Sequence, residues 1–150
     1  MKNRKLKLNQ LKRRMLSFPD APPVPADGWI RTIRTGLNMT LNQLGKRLHI
    51  TQQSVKEMED REKAGTITLN TLRQAGEALG MRFVYGFIPD AKSLDAVIEK
   101  QAKKKAEEIV GRTSRNMLLE DQSVSREQLK LAIKEKMDEL MKEMPGYLWD

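Results

Sequence analysis

The sequence predicts a mainly α-helical protein with one short strand, and three observations carry that expectation. Residues 40–59, TLNQLGKRLHITQQSVKEME, hold two helical periods on either side of a break at His49-Ile50-Thr51. Two long amphipathic stripes follow, one through Leu94, Val97, Ile98, Ala102, Ala106 and Ile109, the other through Leu129, Ile133, Met137, Leu140, Met141 and Met144. Against these stands a single run of β-formers, Met81 to Ile88, stopped by Pro89-Asp90.

Residues 1–18 read as a basic helix from Asn3 to Leu16. Leu8, Leu11 and Met15 are spaced for one stripe, ringed by Lys7, Lys12, Arg13 and Arg14. A disordered basic arm is the alternative. A membrane anchor fits less well, because the apolar face is short and has no aromatic before Phe18. Residues 19–28, PDAPPVPADG, carry four prolines in ten positions and form an extended linker. Asp27 at its end is placed to cap a helix beginning near Trp29.

Within residues 29–80, Thr40 is an N-cap for a helix with Leu41, Leu44 and Leu48 on one face. Thr51 caps the next helix, whose inward residues are Val55 and Met58. Gln52, Gln53, Ser54, Lys56 and Glu57 are left facing out or on its first turn. Glutamine reads adenine through two hydrogen bonds, serine meets base or phosphate, and the first turn of such a helix is what enters a major groove. A solvated helical hairpin with an ordinary polar face is the alternative on these residues alone. His49 suits a turn at positive φ, which histidine tolerates better than most residues.

Residues 81–89 are the expected strand. Phe83, Tyr85 and Phe87 share one face, Val84 and Ile88 the other. No second strand is evident, and a lone strand leaves its backbone groups unpaired. Pairing with the same segment of a second copy would satisfy them; packing as an extended segment on its own domain is the alternative. Residues 90–150 are expected to be helical, with Gly111 as a stop, a short segment at Met117-Leu118-Leu119, and a capping box at Ser125-Arg126-Glu127-Gln128. Pro145 to Asp150 reads as a nonhelical tail. Its aromatics, with the methionines before it, make Leu140, Met141, Met144, Tyr147 and Trp149 the expected anchors for a protein partner, the alternative being that the stripe and tail complete the chain's own core.

Composition narrows the function. The chain has no cysteine and one histidine among 150 residues, so no thiolate metal site and no imidazole cluster exists. No serine–histidine pair at suggestive spacing and no phosphate-binding glycine loop appears, and no apolar run reaches the length of a membrane span. The expectation is a soluble cytoplasmic protein that is not an enzyme, with no catalytic residue, no metal and no cofactor. Charge is uneven: residues 1–28 have a net +5, residues 29–80 a net +3, and residues 81–150 are neutral. The excess lies with the expected DNA-binding segment, which leaves the neutral half for protein contact.

From Trp29 to Gly80 the chain resembles the Xre/Cro-type helix-turn-helix domain of phage repressors and bacterial antitoxins. Trp29-Ile30-Arg31-Thr32-Ile33-Arg34 looks like its first helix, and Thr40 to Gly45 like its second. Ile50-Thr51-Gln52-Gln53-Ser54-Val55 resembles its turn and recognition helix, and Thr71 to Gly80 its closing helix. The resemblance implies a five-helix domain followed by one short dimerising β-strand and C-terminal helices. It implies base contacts from Gln52, Gln53, Ser54 and Lys56, and phosphate contacts from Arg31, Thr40, Thr51, Arg61 and Lys63. Arg61 and Lys63 would sit in a loop at residues 60–66. Arg34 and Glu59 match a structural ion pair of the family. There are departures: Leu41 replaces a phosphate-contacting glutamine, Gly45 stands where alanine is usual, and His49 replaces a turn glycine.

Over roughly residues 1–110 the combination is similar to the bacterial "mobile mystery protein A" family. It rests on the basic helix, the proline linker, Gly28-Trp29-Ile30-Arg31, the segment from Glu62 to Leu69, and Phe83-Val84-Tyr85-Gly86-Phe87-Ile88-Pro89. That resemblance implies an antitoxin-like protein encoded beside a Fic-domain partner. The expected function is therefore a homodimeric, autoregulating antitoxin that binds a double-stranded DNA operator with two half-sites. The rival is a protein inhibitor acting through its C-terminal helices, with DNA binding secondary. Helices that block Fic sites usually carry Ser/Thr-x-x-x-Glu-Gly/Asn; Ser123 to Gln128 approaches that pattern and fails at its last position.

Overall fold

The computed structural model describes residues 2–18, 20, 22–119 and 125–150, apart from the side chains of residues 2 and 117–119. Among the described residues the chain is mainly helical, with seven α-helices and no strand. No helix among them is long and apolar enough to cross a membrane. The chain forms two compact units. A middle unit is Met15–Phe87, and a terminal unit joins Met1–Arg14 to Ile88–Asp150.

In the middle unit, α2 (Trp29–Gly36), α3 (Leu41–Leu48), α4 (Gln52–Ala64) and α5 (Leu69–Ala78) surround one aliphatic core. Ile30, Leu44, Val55, Met58, Ala75 and Leu79 are its buried members, with Ile33, Met39, Leu41, Leu48, Ile67 and Leu72 packed around them. Burying each of the larger of these, Ile30, Leu44, Val55, Met58 and Leu79, stabilises by about 1.5–3 kcal/mol. Helix starts follow local capping. Thr40, Thr51 and Thr68 are extended, and their hydroxyls accept from the N–H of Gln43, Ser54 and Thr71 at 3.1 Å each. Gln43 also returns a bond to Thr40, completing a capping box.

Several boundaries differ from expectation. The segment expected as a loop, residues 60–66, is largely the end of α4, which runs to Ala64 and closes on Gly65 at φ 80°. Helix α5 starts at Leu69, not Thr71, because Thr68 supplies the cap. Residues 29–80 contain four helices, one fewer than the resemblance implies. The chain leaves α5 through Gly80 at φ 72°, with Met81 N–H bonded to Gly76 C=O at 2.7 Å. The expected strand at 81–89 does not form: the segment has no regular secondary structure, and among the described residues no ladder pairs with it. Phe83 and Tyr85 do share a face there: their rings stack with centroids 5.8 Å apart, and the Arg73 guanidinium lies 5.9 Å from the Tyr85 ring.

In the terminal unit, α6 (Leu94–Leu119) and α7 (Arg126–Glu143) pack as an antiparallel pair. Ala102 and Ala106 let α6 approach Leu140, and Ile133, Met137, Met141 and Met144 fill the margins. Ser125 and Gln128 form the capping box of α7. Gly111 does not stop α6, and residues 117–119 are its last turn rather than a separate segment. A glycine inside a helix costs only about 1 kcal/mol relative to alanine. The turns around it are tied by Arg112–Glu108 and by Arg115 donating to Gly111 C=O.

The expected nonhelical tail forms a single 3-10 turn, Gly146–Trp149, which buries Leu148 completely. Gln101 Nε2 donates to Leu148 C=O at 2.7 Å. Leu140 is only 1% exposed, so it is a core residue of its own unit and offers no surface to a partner. Helix α1 (Lys2–Leu16) turns Leu8 and Lys12 inward, while Leu11, expected on that stripe, is exposed. Its Lys12 pairs with Asp95 at 2.6 Å. The seven cations of residues 1–14 thus belong with the C-terminal helices, contrary to their expected grouping with residues 29–80.

Candidate nucleic-acid interface

The candidate interface is built on α3, α4 and the turn between them. His49 ends α3 in the left-handed region at φ 57° and ψ 40°, and Ile50 N–H returns to Gly45 C=O at 2.9 Å. The tightness of this turn explains Gly45. A Cβ there would lie 2.7 Å from the Ile50 carbonyl oxygen, so the small residue admits the turn's own backbone. The chain then extends for one residue, Thr51, and enters α4.

Two carboxylates on the inner face of α4 tie it to α2. Glu59 receives Arg34 Nε at 3.0 and 3.2 Å and Nη2 at 2.8 Å, and Arg34 Nη1 donates to Met39 C=O at 2.9 Å. Both side chains are nearly enclosed, Arg34 at 9% exposure and Glu59 at 5%. A pair so desolvated fixes orientation more than it adds net stability. One turn further on, Glu62 accepts from the backbone N–H of Trp29 and of Ile30, both at 2.8 Å. Those are the first donors of α2, so the cap expected from Asp27 comes instead from another helix. Gly28, the N-cap residue, has no side chain to offer, and Asp27 pairs with Lys63 at 3.4 Å.

With α4 oriented in this way, Gln52, Gln53 and Lys56 are exposed on and just after its first turn. Ser54 is half-buried. Its hydroxyl lies 3.0 Å from that of Thr51 and its N–H is capped by the same oxygen, so it helps close the helix start. Arg31 is exposed on α2, and Thr40 and Thr51 are exposed at the two helix entrances. Arg61 and Lys63 stand away from the start of α4. They lie nine and eleven positions beyond Gln52 on the same helix, about 14 and 16 Å along its axis. Each also faces a carboxylate, Arg61 with Glu57 at 3.8 Å and Lys63 with Asp27.

Glu62 is the residue that sequence reading missed. Its signal was available: Glu59 and Glu62 fall in phase with Val55 and Met58, and a carboxylate on an apolar stripe needs a partner. Ser123 and Val124 of the Fic-like pattern lie outside the described residues. Among the described residues no cluster of three or more potential metal ligands occurs. In comparisons with known proteins, no family model, no curated protein and no solved structure matches this chain.

Proposed function

We propose that the chain is a sequence-specific, double-stranded-DNA-binding transcriptional regulator. The observation that carries this reading is the presentation of Gln52, Gln53 and Lys56 at the exposed start of α4, while Glu59 and Glu62 pin the opposite face of that helix to α2. Amide and ammonium donors held on a rigid helix start suit base edges in a major groove. Thr51, next to Gln52 in the chain, is a phosphate contact together with Arg31 and Thr40; Arg61 and Lys63 would reach the backbone only further along α4.

The regulator acts as a cytoplasmic homodimer on two half-sites, and residues 83–88 supply the dimer contact. Met81, Val84, Tyr85, Phe87 and Ile88 are all exposed in the single chain, Phe87 at 85%. A second copy of the segment would satisfy its backbone and cover these side chains. By its resemblance to antitoxins the protein autoregulates a module with a Fic-domain partner.

A second reading, a protein inhibitor working through its C-terminal helices, draws on Tyr147 and Trp149, which stay exposed on either side of buried Leu148. The test is selection of duplexes from a randomised pool, followed by competition with Gln52→Ala and Gln53→Ala proteins. Each variant should lose about 1–3 kcal/mol of discrimination at one base pair. Full discrimination in both would remove α4 from the groove and leave the inhibitor reading.

A further inference from the structure

We propose that α1, seated on the C-terminal helices, is a sequence-independent contact to the phosphate backbone of double-stranded DNA. This makes the terminal unit a second nucleic-acid-binding module, and it rests on the reading that the protein binds DNA. Residues 1–14 contain seven Lys/Arg and no carboxylate, whereas residues 88–150 hold twelve Lys/Arg against thirteen Asp/Glu. The terminal unit therefore has a net charge of +6, all of it due to α1.

A short helix with so many like charges is marginal on its own, since cations three and four apart repel. Here it has a seat. Lys12 pairs with Asp95 at the start of α6, and Arg4 Nη1 donates to the Met144 carbonyl at the end of α7, at 3.4 Å. A cation at that position also suits the negative end of the helix dipole. Leu8 shares a cleft of about 290 Å³ with Ile98, Met141 and Met144. These contacts use one side of α1. At about 100° per residue, Lys7 and Arg13 project roughly 120° to either side of the Leu8–Lys12 direction, and the arc between them holds Asn3, Gln10 and Arg14 together with the exposed Leu6. Lys7, Arg13, Asn3 and Gln10 are all exposed.

Cations flanking amides suit phosphate oxygens. A lipid surface would need a continuous apolar arc facing outward. The exposed leucines Leu6, Leu11 and Leu16 instead point in three directions around the helix, with gaps of about 140°, 140° and 80°, while Leu8 is turned inward.

The experiment measures binding of the full chain to a labelled duplex of arbitrary sequence across a salt series. A Lys7→Gln/Arg13→Gln protein should bind several-fold more weakly and lose about two units of slope in log affinity against log salt. Leu8→Asn keeps every cation but removes the apolar seat, and should also weaken binding several-fold. A failure of sequence reading would be seen separately, as equal affinity of the wild-type chain for the operator and for this duplex. An unchanged slope in the double variant overturns the proposal, as does wild-type affinity for Leu8→Asn. Tighter binding to an RNA hairpin or to phosphatidylserine vesicles than to the duplex would overturn it as well.

Discussion

The carboxylate of Glu62 occupies the space in which a side chain on Gly28 would begin. A Cβ at Gly28 would stand 2.9 Å from both Cδ and Oε1 of Glu62, and Gly28 itself sits at φ 84° and ψ 165°, a region open essentially to glycine alone. The glycine and the glutamate therefore form one device. The first lets the linker turn into α2 beside the carboxylate, and the second satisfies the N–H groups exposed by that turn. Glu59 acts one helical turn away on the same face, so α2 and α4 are registered at two points.

This device predicts a matched pair of losses. Glu62→Ala strips two backbone donors of their acceptor and should cost about 1–2 kcal/mol, in the range of a lost helix cap. Gly28→Ala should cost about 1–3 kcal/mol through backbone strain. Urea unfolding of both proteins checks this, and because they act on one contact, the double variant should lose less than the two losses added together.

For Arg34 the expectation is larger. Arg34→Ala leaves the Glu59 carboxylate enclosed without its partner and should destabilise by about 3–5 kcal/mol. Replacing both residues, as Arg34→Met with Glu59→Leu, should recover most of that loss. Thermal melts of the two variants decide the matter: if the single substitution is harmless, the pair does not register the helices.

Dimerisation through residues 83–88 predicts that Tyr85→Pro removes a ladder donor and disrupts pairing. Sedimentation should then show monomer, with weaker binding to a two-half-site duplex. A Tyr85→Pro protein that sediments as a dimer would place the interface elsewhere.

Leu148 gives the clearest prediction for the terminal unit. It is fully buried against Ala102, Ala106 and Leu140, so Leu148→Ala should cost about 2–5 kcal/mol there. Trp149→Ala, at an exposed position, should change stability by less than about 0.5 kcal/mol. Amide exchange resolved by residue would show the first loss confined to α6 and α7. A partner captured through Tyr147 and Trp149 should be lost in Trp149→Ala without any loss of stability.

Features that depend on neighbours within one helical turn are legible in the residues alone. The caps at Thr40, Thr51 and Ser125, the left-handed turn at His49 and the apolar phases of α3, α4, α6 and α7 are all local, because a hydroxyl reaches an N–H three residues on and periodicity is set by 3.6 residues per turn. What covers an apolar face, or which distant acceptor meets a helix start, is not encoded locally. Long-range packing sets that Glu62 rather than Asp27 caps α2, across 33 positions of sequence, that α6 continues through Gly111, and that Leu148 rather than its aromatic neighbours is the buried residue of the tail. It also moved the cationic helix from the middle unit to the terminal one, because Asp95 and the Met144 carbonyl supply partners there that periodicity cannot reveal. The segment at 81–89 marks the boundary between the two kinds of information: its β-forming composition is legible residue by residue, but a strand exists only where a second backbone pairs with it.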